Sequence, residues 1–111
     1  MTGNEYQKAA IEVCRIPYND KQEMINHAVF GLTSEAGEVA GIFQKYYQGH
    51  EIVTDHVKKE LGDCLWMLTE LCTAMELDLE DVMQTNLDKL KARYPNGFNS
   101  FNSKFRAESD I

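Results

Sequence analysis

Basic residues are scarce in this 111-residue chain, with 11 lysines and arginines against 18 aspartates and glutamates and a net charge of −7. A duplex nucleic-acid binder needs a basic surface to neutralise phosphates, so that class is excluded. A nucleotide ligand is not, because bound cations reverse the local sign of a carboxylate cluster. Cysteine is sparse and odd in number: Cys14, Cys64 and Cys72, with no CxxC or Cys/His cluster at zinc spacing. Cys64 and Cys72 fall inside an apolar helical pattern and read as small buried hydrophobes. No stretch approaches the roughly 18 apolar residues of a membrane span. MTGNEYQKAA, at the N-terminus, has no apolar signal core, so a reducing cytoplasm is the expected compartment. There are only two prolines, Pro17 and Pro95, both where helical pattern stops. The chain also lacks an alternating strand pattern, an internal repeat, a Gly-rich phosphate loop, and a serine or cysteine nucleophile with a placed base.

What remains is helix. The length suits one domain, and so short a chain buries a small share of its surface, so burying helix faces against a second subunit is expected. Thr2 caps the first helix with Glu5 reaching back, and that helix carries Tyr6, Ala9, Ala10, Val13 and Cys14 and ends before Pro17. Asn19 or Asp20 caps the second, whose stripe is Ile25, Ala28, Val29, Leu32, Ala36, Val39, Ile42, Phe43 and Tyr46, with Gly49 as its stop. Thr54 and Asp55 start the third, with Val57, Leu61, Cys64, Leu65, Leu68, Leu71, Cys72 and Met75 as its stripe. Asp78 caps the fourth, which carries Val82, Met83, Leu87 and Leu90 and stops at Tyr94. The expected fold is an all-α, four-helix bundle-like domain over 1–98, completed by oligomerisation. A polar tail, 99–111, follows; Phe98, Phe101 and Phe105 pin the C-terminal segment to the body or to a neighbouring subunit, and the last residues fray.

The acids carry the chemistry. Glu35 and Glu38 stand three apart on the second helix, and Glu60 and Asp63 repeat that spacing on the third. Both pairs border their helix's apolar stripe. If the two helices pack side by side, up to four carboxylates converge near one edge of the core. Removing ions from water is unfavourable by several kcal/mol each when nothing compensates, roughly. A divalent cation compensates, and an all-oxygen set without histidine suits magnesium or manganese over zinc. Such pairs are also common on solvated faces; it is the doubling on adjacent helices that favours metal. Gly31, Gly37, Gly41 and Gly62 sit within these helices at about 1 kcal/mol each against alanine. Close helix packing and room for metal and phosphates both account for them.

Asn86, Lys89 and Arg93 share one face of the fourth helix. They form either a solvated basic stripe near a helix C-terminus or a phosphate clamp. His27, His50 and His56 do not make the Glu-x-x-His pairs of a di-iron bundle. Trp66, Tyr46 and Tyr47 read as core or interface residues.

Three segments, GLTSEAGEVAGIFQKYYQG, KKELGDCLWMLTEL and NLDKLKARYPNGF, together resemble the MazG-like nucleotide pyrophosphohydrolases of the all-α NTP pyrophosphatases. The resemblance runs over roughly residues 3 to 98. It implies magnesium ligation by Glu35, Glu38, Glu60 and Asp63, phosphate binding by Asn86, Lys89 and Arg93, and assistance from Lys45. Family members often carry a further glutamate just before the first ligand, where this chain has Ser34. The implied reaction is hydrolysis of an NTP or dNTP at the α-phosphorus to NMP and pyrophosphate. Glu38 is the residue expected to orient or deprotonate the water, and the resemblance implies a homodimer or homotetramer. The competing expectations are a related hydrolase of another nucleotide derivative, of the phosphoribosyl-ATP kind, and a non-catalytic helical module for self-association or partner binding.

Overall fold

Capping chemistry sets most helix boundaries in the computed structural model, which describes residues 1–14 and 20–105. Helix α1 spans Gly3–Ile11 and opens on a full capping box. Thr2 Oγ1 accepts the Glu5 amide at 3.1 Å, and the Thr2 amide donates to Glu5 Oε1 at 3.4 Å. The α2 helix, Lys21–Tyr47, starts on Asp20, whose carboxylate accepts the Glu23 amide at 3.2 Å. It ends in a Schellman turn: Gly49 takes φ +100°, and the amides of Gly49 and His50 return to the carbonyls of Tyr46 and Lys45. Helix α3 covers Thr54–Ala74, α4 covers Leu79–Arg93, and a short α5 covers Ser100–Lys104. Tyr94 closes α4 ahead of Pro95, as its sequence predicts. Among the described residues there is no strand, only an isolated bridge between Pro95 and Gly97.

Several boundaries differ from expectation. Helix α1 ends at Ile11, short of Val13 and Cys14, because the amides of those two residues bond three residues back and tighten the chain into a turn. Helix α3 does start at Thr54 as expected, with Val53 in the cap position and no side-chain bond there. Asp78 holds the α4 cap position, yet its side chain makes no capping bond. The expected tail contains α5, capped by Asn99 through the Asn102 amide at 2.7 Å. Pro17, Asn19 and the C-terminal residues expected to fray lie outside the described residues.

The α2–α3 hairpin is the body of the molecule, joined by the short loop 48–53. Its register reads off three levels. His27 meets Glu70, Gly31 meets Met67, and Glu35 meets Glu60 and Asp63, so each turn forward on α2 is a turn back on α3. Met24, Ala28, Met67, Cys72, Ala74 and Leu79 are buried, with Thr69 and Glu70 the buried polar residues. Thr69 is satisfied by the Leu65 carbonyl at 2.6 Å. Glu70 accepts from His27 Nδ1 at 2.8 Å and from the Cys14 thiol at 3.0 Å. Cys72 is buried and Cys64 half-buried, both as expected, and burial pushes the Cys72 thiol up.

The seam runs through His27, Gly31 and Glu35 against Glu70, Met67 and Asp63, and two leucines of the α3 stripe lie outside the core. Leu61 and Leu65 are 53% and 43% exposed, and Val29, Phe43 and Tyr46 on α2 are exposed as well. Met83, Leu87 and Leu90 on α4 are open in the same way. Tyr46 and Tyr47, read as core or interface, are not core of this chain. Trp66 is half-buried and donates to the Ala10 carbonyl at 3.3 Å, tying α1 to α3. The radius of gyration, 16.9 Å, exceeds the roughly 13 Å of a compact domain of this length.

Candidate metal centre

One level up the seam from the Gly31–Met67 contact, three carboxylates converge. Glu35 on α2 and Glu60 and Asp63 on α3 each present an oxygen within 4.8 Å of the others. Helical geometry places Glu60 and Asp63 on one face, since a step of three residues turns about 60° short of a full circle. The antiparallel register supplies Glu35 opposite them. Glu35 and Glu60 are half-buried, and Asp63 is exposed. Desolvation at this half-buried position pushes the Glu35 carboxyl up, and the charges of Asp63, Glu60 and Glu38 add to that push. His56 Nε2 lies 3.4 Å from Glu60 Oε1, one turn back on the same helix.

Three negative groups this close are self-repelling unless a cation or protons intervene. The donor set is all oxygen, which fits a hard divalent ion such as magnesium. Glu38 lies outside the trio, exposed on α2, and is close enough for its charge to act on Glu35. With Glu35 directed at α3, a residue three further on points about 60° to the side. Lys45 lies ten residues beyond Glu35, about 15 Å along the same helix, and is exposed.

Asn86, Lys89 and Arg93 do share a face of α4, with Asn86 exposed and the other two half-buried. Arg93 lies 5.7 Å from the centre of the Tyr94 ring. Helix α4 packs principally on α1. Tyr6, read from the sequence as part of the α1 apolar side, lies within reach of the acidic group. Burial pushes its phenol up, and the Asp63 charge pushes it further. Nothing in the sequence around Tyr6 signals that neighbour, because the contact is made between helices.

The match to known families decides what this arrangement belongs to. A family model described as the MazG nucleotide pyrophosphohydrolase domain matches residues 23–98. The chain belongs to the MazG family. The matched span begins in the first turn of α2, runs through the whole α2–α3 hairpin and α4, and takes in Glu35, Glu38, Glu60, Asp63, Asn86, Lys89 and Arg93. Domains of the MazG family hydrolyse pyrophosphate bonds of nucleotides, typically with a divalent metal. The chain is also 32% identical over 100 residues to the Gene 37 protein of Mycobacterium phage L5, covering 83% of this chain and 88% of the relative. No solved structure matches it. Among the described residues, no helix of this MazG protein is long and apolar enough to cross a membrane.

Proposed function

We propose that this MazG protein is a magnesium-dependent nucleoside triphosphate pyrophosphohydrolase. It converts an NTP or dNTP to the monophosphate and pyrophosphate in the service of nucleotide-pool house-cleaning, with the catalytic unit in residues 1–98. The observation that carries this reading is the Glu35–Glu60–Asp63 group, three carboxylate oxygens within 4.8 Å at a helix seam. Glu35, Glu60 and Asp63 hold the metal, with Glu38 beside them, and manganese substitutes for magnesium. When bound, such an ion neutralises triphosphate charge and acidifies water. Glu38, exposed at the edge of the group, orients or deprotonates the attacking water. Asn86, Lys89 and Arg93, with Lys45, hold the phosphates and stabilise the charge that builds as pyrophosphate leaves.

The protein acts as a homo-oligomer, dimer or tetramer, in a reducing cytoplasm. Support comes from the open apolar faces of all three long helices, α2, α3 and α4, which one chain leaves uncovered. The same packing bears on the site. In such an assembly a second chain brings phosphate donors of one copy toward the carboxylates of another.

Incubating the protein with a panel of NTPs and dNTPs, with and without magnesium, tests the reading. Magnesium-dependent monophosphate and pyrophosphate are the expected products, and the fastest substrate names the base. Nucleoside diphosphate and phosphate as products overturn attack at the α-phosphorus.

A further inference from the structure

Helix α4 has no side-chain cap of its own, and its first turn is held from another helix. Gln7 on α1 uses both ends of its amide. Its Oε1 accepts the Leu79 amide at 2.8 Å, and its Nε2 donates to the Leu77 carbonyl at 2.9 Å and to Thr73 Oγ1 at 3.2 Å. One side chain thus joins the end of α3, the connecting turn and the start of α4. Asn4, one turn earlier on α1, accepts the Glu80 amide at 3.2 Å. The turn Gln7 spans includes Glu76 at φ +58°, a left-handed conformation that a glutamate adopts only at a cost.

We propose that Gln7 is a positioning residue of the nucleotide site: it fixes the direction in which α4 presents Asn86, Lys89 and Arg93. The proposal rests on the reading that those three residues hold the phosphates. Its physical basis is leverage. Arg93 stands fourteen residues past Leu79, about 21 Å along the helix, so a tilt of about 10° at the junction moves it by roughly 3.5 Å. That displacement exceeds the length of a hydrogen bond, and alignment of this kind is what a phosphoryl-transfer site depends on. The carboxylates are on α2 and α3, not on α4.

The test compares Gln7→Met with Lys89→Ala in the full-length protein, reading kcat/KM for the best dNTP, the magnesium concentration at half-maximal rate, and amide exchange at Leu79. Gln7→Met keeps the side-chain length and loses all three bonds. The expected result is faster exchange at Leu79, a fall in kcat/KM of about ten-fold, and an unchanged magnesium midpoint. A merely structural role would shift the magnesium midpoint and kcat/KM together. Should Gln7→Met fail to fold, Gln7→Glu, which keeps the acceptor for Leu79 and loses the donors, is judged by the same three readings. Unaltered kcat/KM in the folded Gln7 variant, with Lys89→Ala impaired, overturns the proposal alone. Unaltered kcat/KM in Lys89→Ala overturns the reading of α4 beneath it.

Discussion

The thioether of Met67 fills the space that a β-carbon on Gly31 would occupy, so α2 and α3 pack tightly one level below the carboxylate group. The Met67 side chain is buried and has no open direction in which to withdraw freely. Gly31→Ala therefore destabilises the chain by about 1–3 kcal/mol, the usual range for overpacking, although alanine is the better helix former. Urea unfolding checks this, and an unchanged or raised midpoint would contradict it.

Three other helical glycines behave oppositely. A β-carbon on Gly37 or Gly41 of α2, or on Gly62 of α3, meets nothing within 4 Å. Gly37→Ala should stabilise the isolated chain by up to about 1 kcal/mol through helix propensity. On the proposed function the space beside Glu35 and Glu38 is reserved for phosphates, so the same substitution lowers kcat/KM. Thermal melting and turnover on one preparation separate the two effects; a stabilised variant with full turnover would leave Gly37 without a functional role.

Glu70 is the buried acid of the seam, with a side chain 1% exposed against 44% for its partner His27. Truncating His27 to alanine leaves the Glu70 carboxylate with the Cys14 thiol and loses about 1–3 kcal/mol. The partial exposure of His27 keeps the figure below that of a fully buried pair. Denaturation of His27→Ala beside Glu70→Gln measures it, and the glutamine variant, uncharged and still able to bond, should lose less.

Repulsion within the metal-free trio makes a prediction of sign. The Glu35 carboxyl is pushed up on folding by desolvation and then by Asp63, Glu60 and Glu38. A group raised in this way contributes stability below its unfolded pKa and loses that contribution as pH rises through the folded one. In the presence of a chelator, Glu35→Gln should therefore be more stable than the parent above the carboxylate titration range and should lose that advantage under acid. Melting temperatures across that range decide it; a glutamine variant less stable at neutral pH would show that Glu35 is held by attraction.

Much of the fold was legible because its signals are local. The Thr2–Glu5 box, the Asp20 cap and the Gly49 stop each involve residues within a few positions of one another. The Glu35, Glu60 and Asp63 convergence followed from i, i+3 spacing on two neighbouring helices. What stayed hidden depends on contacts between helices. Asp78 looked like the α4 cap, but the acceptors are Gln7 and Asn4, some seventy positions away. Leu61 and Leu65 of the α3 apolar stripe are exposed, and contacts to α2 run through Asp63, Met67 and Glu70. Glu70 could have been suspected from its place seven residues after Asp63, on the same helix face.

The most direct test of the metal centre is the magnesium-dependent turnover of Asp63→Asn, a variant that keeps the shape of the group and removes one charge. The account predicts a folded protein, shown by an unaltered helical spectrum, with monophosphate and pyrophosphate production reduced at least a hundred-fold and weakened magnesium binding. A folded Asp63→Asn protein with full magnesium-dependent turnover would contradict it.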